Sequence, residues 1–257
     1  MFGYFRRRRR ARLREQPFPT AWEGLLREQA PYYARVPEES RAELHAQIQV
    51  FLAEKSFEGC NGFAIDDSVR LIVAMHACLL TLRREHGYYP GLHAILIYPD
   101  AFRVQRDEPD DDGFVDEIDD VQEGESWEAG TVILSWKDVW QDIGRFDGRN
   151  VILHEFAHQL WDNGEAALPA KTDAGEWRGA MMREYEKHCR AVERNRRAYL
   201  DPYGAEDPAE FFSCTTEQFF EQPRLFSKRH PELYTRLRQF YHQDPVRYFD
   251  TGEDATP

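Results

Sequence analysis

Residues 150–164 read NVILHEFAHQLWDNG, a helix-sized run with a boundary signal at each end. Asn150 is a residue type that caps helix N-termini, and Asn163-Gly164 supplies a stop. Between them, Val151, Ile152, Phe156, Ala157 and Leu160 recur at the spacing of a helix with one buried side. On such a helix residues four apart project side by side, about 5–6 Å apart at Cβ, so His154 and His158 can each offer one imidazole nitrogen to a single Zn²⁺. Glu155 is rotated about 100° from His154, where its carboxylate can take a proton from water without ligating the metal itself. The pattern is the HExxH pentad, suited to metal-assisted hydrolysis.

A catalytic zinc usually takes three protein ligands and keeps one position open. The helix expected over Pro208–Glu221 holds the candidates for the third. Glu210 and Glu217 lie seven apart, close to two turns, so spacing does not choose between them. Glu206 and Glu221 are weaker candidates, read as solvated.

Other segments build the scaffold around the pentad. Apolar spacing predicts helices over Pro37–Lys55 and over Asp66–His86, the latter capped by Asp67 or Ser68 and ended by Gly87. His76 falls on its apolar face and reads as a core histidine. HAILIY (93–98) and TVILSW (131–136) are β-branched and aromatic runs that predict strands. Further helices are expected over Trp177–Arg197 and Pro231–Tyr241. The fold class is therefore α+β, mostly helical, with a small sheet beside the pentad helix.

With 257 residues, 42% hydrophobic and 14% aromatic, the chain can bury one sizeable core. The expected organisation is one domain over 16–250, a basic disordered tail over 1–15 and a short disordered tail over 251–257. Five successive arginines, Arg6 to Arg10, repel one another and read as a solvated start. The net charge of −13 argues against a specific nucleic-acid binder. The acidic stretch Asp107–Glu125 reads as a loop or weakly ordered flap, without the DxDxDG spacing of a calcium loop. No apolar run reaches the ~18 residues of a transmembrane helix, and no signal peptide is visible. Four scattered cysteines without a CxxC pair suit a reducing compartment, so a cytoplasmic location is expected, and Cys78 and Cys214 read as small core residues.

In order along the chain, GFAIDDSVRLIVAMHACLLTL, LIYPDAF, GTVILSWKDV, NVILHEFAHQL and YGAEDPAEFFSCTTEQFFEQP give it a broad resemblance over about residues 15–245. It resembles the Mlc titration factor A family of zinc peptidases, peptidase family M90, whose core is similar to the protease domain of anthrax lethal factor. The resemblance implies a zincin-like fold, His154 and His158 as zinc ligands and Glu155 as general base. A family tyrosine followed seven residues later by the glutamate of a PAE-Phe segment matches Tyr203 and Glu210. It thereby implies Glu210 as third ligand, Glu217 as a supporting carboxylate and Tyr203 as donor to the oxyanion. Many family members continue the pentad as HQLD, whereas here Trp161 precedes Asp162, and the spacing from His158 to Tyr203 is shorter than in some relatives. The family further implies aminopeptidase-like action on peptides, with an extended substrate along an edge strand, for which Thr131–Trp136 is the candidate. Alternatively, it implies sequestration of a glucose-responsive transcriptional repressor.

Overall fold

The computed structural model describes residues 2–84, 88–100, 130–162, 174–194 and 199–249. The acidic stretch 107–125, Gly87, Asn163-Gly164 and the 251–257 end lie outside the described residues. Eleven helices appear among those described: α1 (Phe2–Arg14), α2 (Thr20–Gln29), α3 (Pro31–Arg35), α4 (Glu38–Glu54), α5 (Asp67–Thr81), α6 (Trp136–Asp142), α7 (Val151–Asp162), α8 (Ala174–Glu193), α9 (Pro208–Glu221), α10 (Pro223–Arg229) and α11 (Pro231–Tyr241). Three strands, β1 (Ser56–Gly59), β2 (Ala94–Tyr98) and β3 (Thr131–Ser135), form one parallel sheet in the order β1-β2-β3. Ser56 pairs with Ala94, and Ala94 with Thr131. The fold is thus α+β and mostly helical, with β3 at one edge of the sheet among the described residues and packed against the pentad helix α7.

α5 is the centre of the core. Its residues from Leu71 to Thr81 are all buried, because α2, α4 and α7 cover it from different sides. A helix apolar all round needs such cover. His76 sits there as expected, its Nδ1 2.8 Å from Ile72 O, and burial holds its pKa down to about 4. The cap is Asp66, in place of Asp67 or Ser68. Its extended backbone turns the carboxylate back to accept from Val69 N at 2.9 Å.

The 131–136 run ends one residue early as a strand. Ser135 accepts from Asp138 N, so Trp136 opens α6. The elements α2, α3, α6, α10 and β1 are additions to the sequence reading.

The arginine-rich start departs most from expectation. It is helical, and two of its charges are matched by carboxylates on α4. Arg10 makes a two-pronged pair with Glu54 at 2.6 and 2.7 Å, and Arg14 reaches Glu43 and the Tyr88 hydroxyl, both at 2.6 Å. Self-repulsion predicts disorder only while partners are absent, and these partners lie 29 to 74 residues away.

Candidate metal centre

The site forms where α7 packs along α9. α7 is anchored by Ile152, Leu153, Phe156, Ala157 and Leu160, all fully buried. Its N-terminus is held polar group by polar group. Asn150 caps it, Oδ1 accepting from Leu153 N at 3.1 Å, while Val151 N donates to Asp142 and Asn150 N to Glu217 Oε2 at 2.6 Å. Carboxylates suit this end because its free N–H groups carry the positive end of the helix dipole. α9 is fixed by Asp207, whose Oδ1 accepts from both Ala209 N and Glu210 N, with Pro208 in the first turn.

One stripe of α9 faces α7. Glu210, Cys214, Glu217 and Glu221 follow at intervals of four, three and four, whereas Phe211, Phe212, Phe219 and Phe220 are buried in the core. Glu210 reaches both pentad histidines, with Oε2 3.0 Å from His154 Nε2 and Oε1 3.2 Å from His158 Nε2. The two imidazole Nε2 atoms are 3.2 Å apart. Nitrogen and carboxylate atoms brought this close need a proton or a cation between them. The spacing fits zinc, since bonds of 2.0–2.2 Å at tetrahedral angles put neighbouring ligand atoms about 3.3 Å apart. Burial works to raise the Glu210 carboxyl, but the two imidazoles outweigh it and hold it at about 2.

Glu217 does a different job from Glu210. Its Oε1 accepts from His154 Nδ1 at 2.8 Å while its Oε2 holds the backbone of Asn150. One carboxylate therefore fixes the imidazole ring and the start of its helix together, and a proton on Nδ1 leaves Nε2 with a lone pair that could take a metal. Burial disfavours charge on His154, yet Glu217 foremost, with Cys214 and Glu210, raises its pKa.

Glu221, read as solvated, is instead buried, with Oε1 accepting from Asn150 Nδ2 at 2.9 Å. Burial lifts its pKa to about 8, which favours the neutral carboxyl. Glu206 is exposed, as expected. Asn150, Asp142 and Cys214 were not singled out as site residues. The cysteine thiol, pushed up by burial, lies within 4.8 Å of donor atoms on His154 and Glu217. Its place in the α9 stripe was the available signal.

Glu155 is buried on α7 beside His154. Tyr203 lies in the 3-10 turn Pro202–Ala205, whose start is pinned by Asp201 accepting from Tyr203 N at 3.0 Å. Its ring centroid is 6.1 Å from that of His154, and burial, followed by the Glu210 charge, raises its phenol pKa, so it remains a donor. A cavity of about 500 Å³ opens beside these rings, lined among others by Asp142, Arg149, Tyr199, Asp201, Tyr203 and His154.

Comparison with known proteins finds a family match and relatives along most of the chain. The family model for glucose-regulated metallo-peptidase M90 matches residues 5–242. An uncharacterized protein of Synechocystis sp. is 41% identical over 246 residues, 93% of this chain and 89% of its own. Mlc titration factor A of Escherichia coli and that of Shigella sonnei are each 34% identical over 243 residues, 91% of this chain and 90% of theirs.

Proposed function

The chain belongs to the glucose-regulated metallo-peptidase M90 family, and from that premise we propose that it is a zinc-dependent, aminopeptidase-like hydrolase of short peptides. The observation that carries this reading is the convergence of His154 Nε2, His158 Nε2 and the Glu210 carboxylate within 3.2 Å of one another, with Glu155 on the same helix. His154, His158 and Glu210 would hold the metal. When bound, Zn²⁺ supplies Lewis acidity, lowering the pKa of water towards ~7 and polarising a carbonyl.

The chain's own groups supply the rest. Glu155 accepts the proton of the attacking water and passes it to the amine nitrogen as the carbon–nitrogen bond breaks. Tyr203 keeps its hydroxyl proton and donates to the oxygen that gains negative charge when the carbonyl becomes tetrahedral. Glu217 holds His154 in the ligating tautomer. An extended peptide would lie along β3, at the sheet edge beside α7. Four free cysteines suit a reducing, cytoplasmic setting.

Glu155→Gln tests the reading. The variant should retain zinc and lose peptide hydrolysis by at least about 10²-fold. Full activity in the variant, or a pure wild-type protein that takes up no zinc, would refute it.

A second reading rests on the name of the Escherichia coli and Shigella relatives. By likeness to a titration factor, the chain would bind and sequester a transcriptional repressor. Capture of such a repressor that survives Glu155→Gln would favour it, because sequestration needs no general base.

A further inference from the structure

The outward face of α1 belongs neither to the metal site nor to the core. α1 holds seven arginines and no carboxylate, in a chain whose net charge is −13. Arg10 and Arg14 turn inward to Glu54, Glu43 and Tyr88, and Arg9 donates to Ala53 O. At 100° per residue, fixing that side of the helix leaves Tyr4, Phe5, Arg8 and Arg12 on the other, and all four are exposed.

Tyr4 and Phe5, at 62% and 61% exposure, are the two most exposed large hydrophobic side chains among the described residues. Their rings meet edge to face with centroids 5.9 Å apart. Aromatic rings beside guanidinium groups suit the boundary between lipid headgroups and acyl chains, where rings leave water and arginines meet phosphate. No helix among the described residues is long and apolar enough to cross a membrane, so such contact is peripheral.

We propose that this face of α1 docks on an anionic lipid bilayer, with Tyr4 and Phe5 entering the interface and Arg8 and Arg12 pairing with headgroup phosphates. Charge complementarity selects the occupant, since the arginine face is the part of an acidic molecule that such a surface attracts. The aromatic pair favours lipid over nucleic acid. Its two rings are engaged with each other edge to face, a poor platform for stacking on bases, while both gain from burial at an acyl boundary. The inward pairs of Arg10 and Arg14 present the helix already formed, so docking need not fold it.

Sedimentation of the full chain with vesicles of mixed phosphatidylglycerol and phosphatidylcholine, against phosphatidylcholine alone, tests the proposal. Binding to the anionic vesicles only, weakened by salt, is the expected result. The Arg8→Ala/Arg12→Ala double variant should lower the partition coefficient by about 30-fold, roughly five-fold per arginine (about 1 kcal/mol each). Tyr4→Ser/Phe5→Ser should remove the part of the binding that survives high salt. Both variants should keep the wild-type melting temperature and metal content, since these side chains lie outside the core and the site. Equal binding to neutral vesicles, no binding to either, wild-type partition of the arginine variant, or displacement from vesicles by RNA at comparable phosphate concentration would each overturn it.

Discussion

Glu217→Gln is nearly isosteric, yet it should be among the most damaging substitutions near the site. The carboxylate takes two hydrogen bonds, from Asn150 N at 2.6 Å and from His154 Nδ1 at 2.8 Å. A carboxamide has only one oxygen. If that oxygen stays with Asn150 N, which can only donate, the amide NH₂ faces Nδ1 and His154 must move its proton to Nε2. That atom is the one pointing at Glu210, 3.0 Å away, and a protonated Nε2 cannot ligate. If the amide is turned the other way, Asn150 N loses its acceptor, at a cost of about 1–3 kcal/mol for a buried donor. The first outcome weakens metal binding by about 10- to 100-fold, or roughly 1.4–2.7 kcal/mol. The second lowers the melting temperature of the metal-free protein by roughly 2–4 °C per kcal/mol. Chelator-competition titration with zinc, together with thermal unfolding in excess chelator, measures both. Wild-type zinc affinity and an unchanged apo melting temperature in Glu217→Gln would refute the role given to this carboxylate.

Tyr203→Phe should lower kcat by about 10²–10³ while leaving KM and zinc content near wild type, because only the oxyanion donor is removed; steady-state kinetics on a peptide substrate decides this. His76 makes stability depend on pH. It is neutral in the fold with a pKa of about 4, whereas the unfolded chain protonates it near ~6.5. Stability from this group is therefore complete above pH ~6.5 and lost as pH falls towards 4, on the order of 3 kcal/mol in all, and His76→Leu should flatten that part of the urea-unfolding profile. Gly148→Ala should destabilise the lead into α7 by about 1–3 kcal/mol, since φ is +97° and a Cβ would also press on the Gln218 side chain; denaturant midpoints report it.

The parts legible in the sequence were those set by neighbours along the chain. Helix α9 begins and ends where proline at its first turn and the apolar period placed it, and α11 likewise. Asn150 caps α7 because a short polar side chain three residues before Leu153 N has an acceptor at the right reach. Where two neighbours could do the same job the sequence was ambiguous, and Asp66 won over Asp67 and Ser68 through its own extended backbone. Glu221 misled because it is an acidic residue at the end of an amphipathic helix. Its burial follows from Asn150 arriving opposite it, 71 residues away in the chain.

The sequence by itself determined that His154 and His158 would share one helix at ligating spacing with Glu155 between them, because a helix converts local spacing into direction. Spacing left Glu210 and Glu217 equivalent, seven residues apart on one stripe, and the family resemblance alone favoured Glu210. Tertiary packing gives each its own partners: α7 crosses α9 so that Glu210 reaches Nε2 of both histidines, while Glu217 reaches Nδ1 of one and the backbone below it. The same holds for α1, whose charges repel along the chain and two of which are matched by carboxylates on α4. Convergence of groups 29 to 71 residues apart depends on how apolar faces bury one another, and no local pattern carries that information.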